Sequence, residues 1–362
     1  MGPLKSSSHR ERDYSRVTSR LRAWYYTLRR GNIISQGIDR ARWNLAPKFF
    51  HVIDFPTHID IEASLSCQMR CPMCLRRRMP QDLTYGIMDF DLFKKIIDEC
   101  SQRSIYSVKL SWRGEPLLNP HIVEMVKYAK EKGIKDVAFL TNGERLTPEL
   151  AMGLTEAGLD WISFSIDGVG EIYERIRWPE TFEGIVRKVR FLKEYRDSKG
   201  LRKPLIRVQT IYSAIKENPT EYFDLWERIA DKVYIIADQA RWEIAPFPRD
   251  PNYVCFEPWR RIVIGWNGLV PQCICDYEDL NPLGDVSKQA IHEVWHGEKF
   301  NKLRESIKNR MLFTNEPCKE CHDPGLMYNE TVKIGDREIV IGLYKGQAMD
   351  IKNMDARPKA RT

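Results

Sequence analysis

Three cysteines stand close together in the stretch Cys67-Gln68-Met69-Arg70-Cys71-Pro72-Met73-Cys74. A loop this short can wrap three thiolates round one inorganic iron–sulfur cube, which would leave one of its four irons without a protein ligand. An open coordination position lets a metal centre act on a bound molecule rather than merely stiffen a fold. Zinc is the competing assignment, but it wants four ligands, and the nearest histidines, His51 and His58, precede the loop on or near a strand. A second set comprises Cys255, Cys273, Cys318 and Cys321, in which Gly268 and Cys273 make G-x4-C and Cys318-Lys-Glu-Cys321 makes C-x2-C. Four thiolates leave no iron open, which suits electron transfer or structural support, and the spacing alone also admits zinc.

Positioning these groups falls to an alternation of short apolar strands and longer helical stretches from residue 57 onward. Strands are expected at His58–Glu62, Tyr106–Trp112, Asp136–Leu140, Trp161–Ser165, Leu205–Ile211 and Lys232–Ile236. Between them, helical periodicity runs over Asp89–Glu99, Pro120–Lys132, Thr147–Ala157, Phe182–Tyr195 and Thr220–Ala230. Strand–helix alternation implies βαβ units and a parallel sheet. Six units predict an α/β fold with a partial (β/α)6 TIM-like barrel, followed by a small cysteine-rich domain. The expected divisions are a basic helical extension over 1–56, the barrel over 57–244, the cysteine-rich unit over 245–325, and a hairpin with a polar tail over 326–362. The hairpin turns at Gly335-Asp336, and Asp350–Thr362 reads as a disordered tail.

C-x3-C-x2-C after the first strand of such a chain resembles the signature of the radical S-adenosylmethionine (SAM) superfamily. The resemblance covers roughly residues 57–325. It implies a [4Fe-4S] cluster on Cys67, Cys71 and Cys74 whose open iron chelates SAM, and reductive cleavage to a hydrogen-abstracting 5′-deoxyadenosyl radical. Ser111-Trp-Arg-Gly114-Glu115-Pro116 looks like the family's GEP motif, which binds the SAM amino group. Ser163-Phe-Ser165-Ile-Asp167-Gly168 resembles the fourth-strand motif, whose serine lies near SAM, and Thr141-Asn142-Gly143 closes the third strand similarly. Each is also an ordinary strand-to-helix turn sequence. Together, however, they fall at the C-terminal ends of successive parallel strands, the face where β/α barrels carry active sites. Met73 stands where the family often has an aromatic against adenine, and Arg177 is a candidate for the SAM carboxylate, or else an ordinary surface-helix arginine. The implied SAM-binding residues are thus Met73, Gly114, Glu115, Pro116, Asn142, Ser165 and Arg177.

Leu283-Gly-Asp-Val286, Val294-Trp295, Phe300 and Leu303-Arg304 between the later cysteines resemble the SPASM/twitch extension. Its shorter form implies one auxiliary [4Fe-4S] cluster on Cys255, Cys273, Cys318 and Cys321. If Val270–Cys275 is extended, Cys273 and Cys275 share a face. Cys275 is then a candidate hydrogen donor to a substrate radical, a spare ligand, or an incidental cysteine. Cys100, at the end of a helix, reads as a packing residue.

The expected activity is a radical SAM oxidoreductase that abstracts hydrogen from a sugar, aminocyclitol or nucleotide-linked substrate, giving dehydrogenation or epimerisation. A one-electron donor such as flavodoxin or ferredoxin is the implied partner. The alternative is a maturase of a ribosomally made peptide or protein, forming thioether or C–C crosslinks or epimerising; no leader-binding domain is evident at the N-terminus, which favours the small molecule.

Composition bounds the class. The chain has 362 residues, 43% apolar and 30% charged, with net charge +7. Its length supports a large domain plus a smaller one. No apolar run is long enough to insert in a membrane and no secretory signal is evident, so the expected location is the cytoplasm, where close cysteine spacings indicate metal rather than disulfides. Residues 1–50 hold eleven basic residues against Glu11, Asp13 and Asp39, so the remainder is nearly neutral. Such an arm can attract phosphates, nucleic acid or an acidic membrane surface, and an RNA-binding or RNA-modifying role that uses it is the alternative of another class. Leu21, Trp24, Tyr25 and Leu28 at helical spacing, however, favour a solvated helix with an apolar face. Nucleic acid is not the expected partner.

Overall fold

The computed structural model describes residues 33–79, 85–238, 248–346 and 349–357. The apolar spacing at Leu21–Leu28 and the division expected near Ala245 lie outside them. The first described element, α1 (Ile33–Leu45), ends against the sheet, where Arg260 Nε donates to the Trp43 carbonyl (3.1 Å).

Seven parallel strands form the main sheet: β1 (His58–Ile61), β2 (Ser107–Lys109), β3 (Asp136–Thr141), β4 (Trp161–Ser165), β5 (Leu205–Ile211), β6 (Lys232–Ile236) and β7 (Arg261–Ile264). Their order is β6-β5-β4-β3-β2-β1-β7. The first six are the strands expected from the sequence. The seventh comes from the cysteine-rich region and pairs with β1 in register Ile59↔Ile262. The helices between the strands are α2 (Phe90–Gln102), α3 (Ile122–Glu131), α4 (Pro148–Glu156), α5 (Glu171–Ile176), α6 (Phe182–Ser198) and α7 (Pro219–Ile229). Their caps follow the sequence. Asp89 accepts from the amides of Asp91 and Leu92 at the start of α2, Thr147 caps α4, and Thr181 caps α6. Each side-chain cap of this kind stabilises by about 1 kcal/mol.

One apolar core runs between sheet and helices, with Ile59, Ile61, Phe93, Phe139, Phe164 and Trp226 buried in it. It continues into the C-terminal part through Trp295 and Phe300, on α8 (Ile291–Trp295) and α9 (Glu298–Lys308). Arg304 stacks on both rings, 4.2 and 4.4 Å from their centroids, and donates to the carbonyls of Pro258 and Trp295. The short pair β8 (Leu269–Val270) and β9 (Gly284–Asp285) is antiparallel.

The expected hairpin forms from β10 (Met327–Ile334) and β11 (Arg337–Tyr344), and its Val332, Ile334, Ile341 and Leu343 join the main core. The expected disordered tail from Asp350 is corrected by the packing of residues 349–357. Met349 and Ile351 are buried, a short 3-10 turn spans Ile351–Asn353, and the Ala356 amide donates to the Arg175 carbonyl (2.7 Å). The apolar side chains 349, 351 and 354 give this polar segment one face to bury. Among the described residues, no helix is long and apolar enough to cross a membrane.

Candidate active site

Of the sequence-predicted residues, Met73 lies in the loop after β1, Gly114, Glu115 and Pro116 after β2, Asn142 after β3, Ser165 at the end of β4 and Arg177 just after α5. Cys67, Cys71 and Cys74 occupy the loop after β1, closed by a turn in which the Cys74 amide donates to the Cys71 carbonyl (2.9 Å). Burial pushes the Cys67 thiol up to about 12 and the Cys71 thiol up to about 11. Two donors face these sulfurs. Asn142 Nδ2 lies 3.6 Å from Cys67 Sγ, and Arg177 Nη1 lies 3.5 Å from Cys71 Sγ. Donors aimed at sulfur fit a thiolate that carries a metal cluster, because the charge is then shared with iron and with the protein.

Glu115 is fully buried at the end of β2 and ties two strand ends together. Its carboxylate accepts from Thr141 Oγ1 (2.6 Å), the Asn142 amide (2.7 Å) and the Leu117 amide (3.0 Å). Burial nonetheless raises its pKa to about 7 against those three donors. Gly114 is set by close approach: a Cβ there would meet the Ser64 carbonyl oxygen at 2.1 Å and that of Leu65 at 2.6 Å. Pro116 opens the 3-10 turn Pro116–Leu118.

Asn142 also accepts from Gln68 Nε2 (3.2 Å), so the cysteine loop is fastened to the end of β3. Gly143 has φ +77°, which suits glycine there. On β4, Ser163 and Ser165 are bridged by Gln209 of β5 at 3.2 and 3.3 Å. Asp167 accepts from the Ile211 amide (2.9 Å) and from Arg177 Nε (2.7 Å). Arg177 is therefore turned inward on the cysteine loop, not laid on a surface helix. Met73 packs with Ile176, Ala214 and Ile351, so the C-terminal segment reaches this site.

The second set also assembles, with a fifth member. Cys255, Cys273, Cys318 and Cys321 lie together, and Cys275 lies beside Cys273 and Cys321. Residues 270–275 are not an extended strand throughout. The strand stops at Val270, and a turn brings the two thiols together, with the Cys275 amide donating to Cys273 Sγ (3.3 Å) and the Asp276 amide to the Cys273 carbonyl (3.1 Å). Gln272 Nε2 donates to Cys318 Sγ (3.1 Å). Five thiols in one place fit a thiolate-held cluster and supply more ligands than one needs. Cys100 is fully buried in the main core, as its helix position implies.

Sequence reasoning missed three contributors. Arg113 carried no motif weight, Gln209 sat in an unremarkable strand, and Ile351 lay in a segment read as disordered. A hidden arginine partner is foreshadowed only by Glu62, an acid ending an apolar strand.

Comparison with known proteins agrees with this geometry. The model of the radical SAM superfamily matches residues 61–210, and that of an iron–sulfur cluster-binding domain of the SPASM type matches residues 255–322. A tungsten-containing aldehyde ferredoxin oxidoreductase cofactor-modifying protein of Pyrococcus furiosus is 24% identical over 73% of this chain and 86% of its own. Among solved structures, BtrN in complex with AdoMet and 2-DOIA superposes with TM-score 0.51 at 20% identity, covering 74% of this chain and 93% of that one. SuiB of Streptococcus suis bound to its precursor peptide SuiA gives TM-score 0.51 at 13% identity, over 70% and 67%. The open parallel sheet, the three-cysteine loop at its C-terminal face and the later cysteine set make this chain a radical SAM superfamily enzyme with a SPASM-type auxiliary cluster domain.

Proposed function

We propose that this chain is a radical SAM oxidoreductase that removes hydrogen from an unactivated carbon of a small molecule and completes a dehydrogenation. Cys67, Cys71 and Cys74 hold the first cluster in this reading, and four of the five later thiols hold the second. Bound there, the first cluster with SAM supplies a 5′-deoxyadenosyl radical, and the second supplies a one-electron acceptor.

The protein's own groups position and shield. Glu115 orders the strand ends through Thr141 and Asn142 and, with Gly114 and Pro116, would help to hold the SAM ammonium. Asn142 and Arg177 donate toward the cysteine sulfurs, and Arg177, steadied by Asp167, would hold the SAM carboxylate. Met73 would offer a soft apolar contact for adenine, and Ser165, held by Gln209, would help to line the SAM site.

The observation that carries dehydrogenation over epimerisation is Cys275. A thiol that returns hydrogen to a substrate radical has to stand beside the substrate, whereas the Cys275 amide donates to Cys273 Sγ (3.3 Å), which seats this residue among the auxiliary thiols. The BtrN complex with 2-DOIA supports a small-molecule substrate. The SuiB complex with SuiA keeps a peptide substrate as the second reading, and a full SPASM module, with cysteines for two auxiliary clusters, would suit it better than this set. A flavodoxin or ferredoxin is the proposed reductant.

Anaerobic reconstitution with iron and sulfide, followed by SAM and dithionite, tests the reading. About eight irons per chain are expected, falling to about four when Cys67, Cys71 and Cys74 are all replaced by Ala, with 5′-deoxyadenosine formation abolished. Zinc in place of iron, or full iron without SAM cleavage, overturns it.

A further inference from the structure

Arg113 is almost fully buried between the two cysteine sets and bonds to both sides. Toward the first, its Nε and Nη2 make a fork on Glu62, at 2.8 Å each. Glu62 directly follows β1, its amide donates to the Ile264 carbonyl at the end of β7 (2.8 Å), and its carboxylate also accepts from the Trp266 amide (3.2 Å). Toward the second, Arg113 Nη1 donates to Asp279 Oδ2 and to the Tyr277 carbonyl, both at 2.9 Å. The neighbouring Trp112 Nε1 donates to the Ile274 carbonyl (2.9 Å), between Cys273 and Cys275. Its ring stacks on Tyr277 at 6.2 Å, and the guanidinium sits 3.9 Å from the ring centroid. Two residues beyond Arg113, the Glu115 amide donates to the Ser66 carbonyl, next to Cys67 (2.9 Å).

The short run from Trp112 to Glu115 therefore touches both loops. A planar guanidinium held by carboxylates on opposite sides resists rotation as well as translation, which a lysine ammonium does not. Without Arg113, the loop carrying Cys273 and Cys275 would depend on Trp112 for its hold on the barrel mouth here.

We propose that Arg113, with Glu62 and Asp279, is a positioning residue that sets the distance and relative orientation of the auxiliary cluster and the SAM-binding cluster. The inference rests on both cysteine sets holding clusters as proposed above. Because electron transfer between centres depends steeply on their separation, a fixed strut makes the auxiliary site a reproducible acceptor rather than a mobile one.

The test uses the fully reconstituted protein. Asp279→Asn removes only the charge on the auxiliary side. Asp279 has φ +53°, a conformation that asparagine also tolerates, so the fold and the Arg113–Glu62 fork are retained. Arg113→Gln and Arg113→Lys remove the fork itself. An iron count of about eight per chain in the unmodified protein establishes that both clusters are present, and about four there would instead mark failure of the two-cluster reading. With both present, the expected result for Asp279→Asn and both Arg113 variants is a broadened inter-cluster distance distribution by pulsed electron paramagnetic resonance. A shifted auxiliary midpoint potential is expected with it, while the change that SAM induces in the first cluster's spectrum stays as in the unmodified protein. Lysine should not rescue. If Arg113→Gln loses iron, Asp279→Asn decides alone. An unchanged distance distribution and potential in Asp279→Asn overturns the proposal, as does full rescue by Arg113→Lys.

Discussion

Arg177 is paired with Asp167 and donates to the sulfur of Cys71, so one side chain serves a buried carboxylate and a cysteine of the loop. Replacing it by Ala would leave Asp167 buried without its cation and Cys71 without its donor. Charge-assisted bonds of this kind are worth about 1.5–3 kcal/mol, so 5′-deoxyadenosine formation should fall by roughly ten- to a hundredfold with iron content retained. Equal rates in Arg177→Ala and the unmodified protein would remove it from the site. Glu115 adds a pH signature. Its folded pKa of about 7 lies above the ordinary value of 4.5, so its contribution to stability is fully present below pH 4.5 and lost as pH rises through 7. The loss for so buried a group is of the order of 3 kcal/mol. In the cluster-free protein, thermal stability between pH 5 and 8 should decline more steeply with Glu115 than in Glu115→Gln; parallel slopes would refute this. Motif residues such as Asn142 were legible in the sequence because a strand end and a turn fix them locally. Arg113 was not, since its partners Glu62 and Asp279 lie far away along the chain and no local pattern marks such a fork.

At the scale of elements, β7 and the C-terminal segment are the two additions to the expected barrel. Asp60 on β1 is fully buried and meets Lys109 of β2 (2.6 Å) and Arg261 of β7 (3.2 Å), so one carboxylate links three strands. Burial alone would raise its pKa, yet Lys109, His58 and Arg261 hold it well below the usual range. Asp60→Asn leaves two cations without this counter-charge and should cost about 3–5 kcal/mol, read as a lowered denaturation midpoint. The segment at 349–357 acts differently, through Ile351 against Met73, Ile176 and Ala214. Ile351→Asp should weaken SAM binding several-fold while the iron count stays at about eight; unchanged SAM affinity would show that the segment merely covers the barrel. Alternating periodicity revealed β1–β6 because the strands are separated by helices of a different period. It could not reveal β7, which reads as a short apolar run among prolines, nor the tail, whose apolar residues are diluted by Asp and Lys.

For the molecule as a whole, β7 in the main sheet and Trp295 and Phe300 in the main core make the cysteine-rich part structurally continuous with the barrel. Residues 57–244 expressed alone would expose the β7-facing edge of β1 and lose the Glu62 anchor at Ile264. That fragment should be insoluble or unfold without a sharp transition, whereas the full chain should melt in one calorimetric step. A sharp transition in the fragment would count against this continuity. The same pairing has a consequence during synthesis. Ile61 leaves the ribosome about two hundred residues before its partner Ile264, which at ordinary rates of elongation is roughly 10–40 s. Through that interval the apolar strand beside the first cysteine loop has at most β2 as a neighbour, and its other edge is open to pairing with another nascent chain. Lower growth temperatures and an ample supply of chaperones should therefore raise the recovered yield more than any change of buffer after lysis.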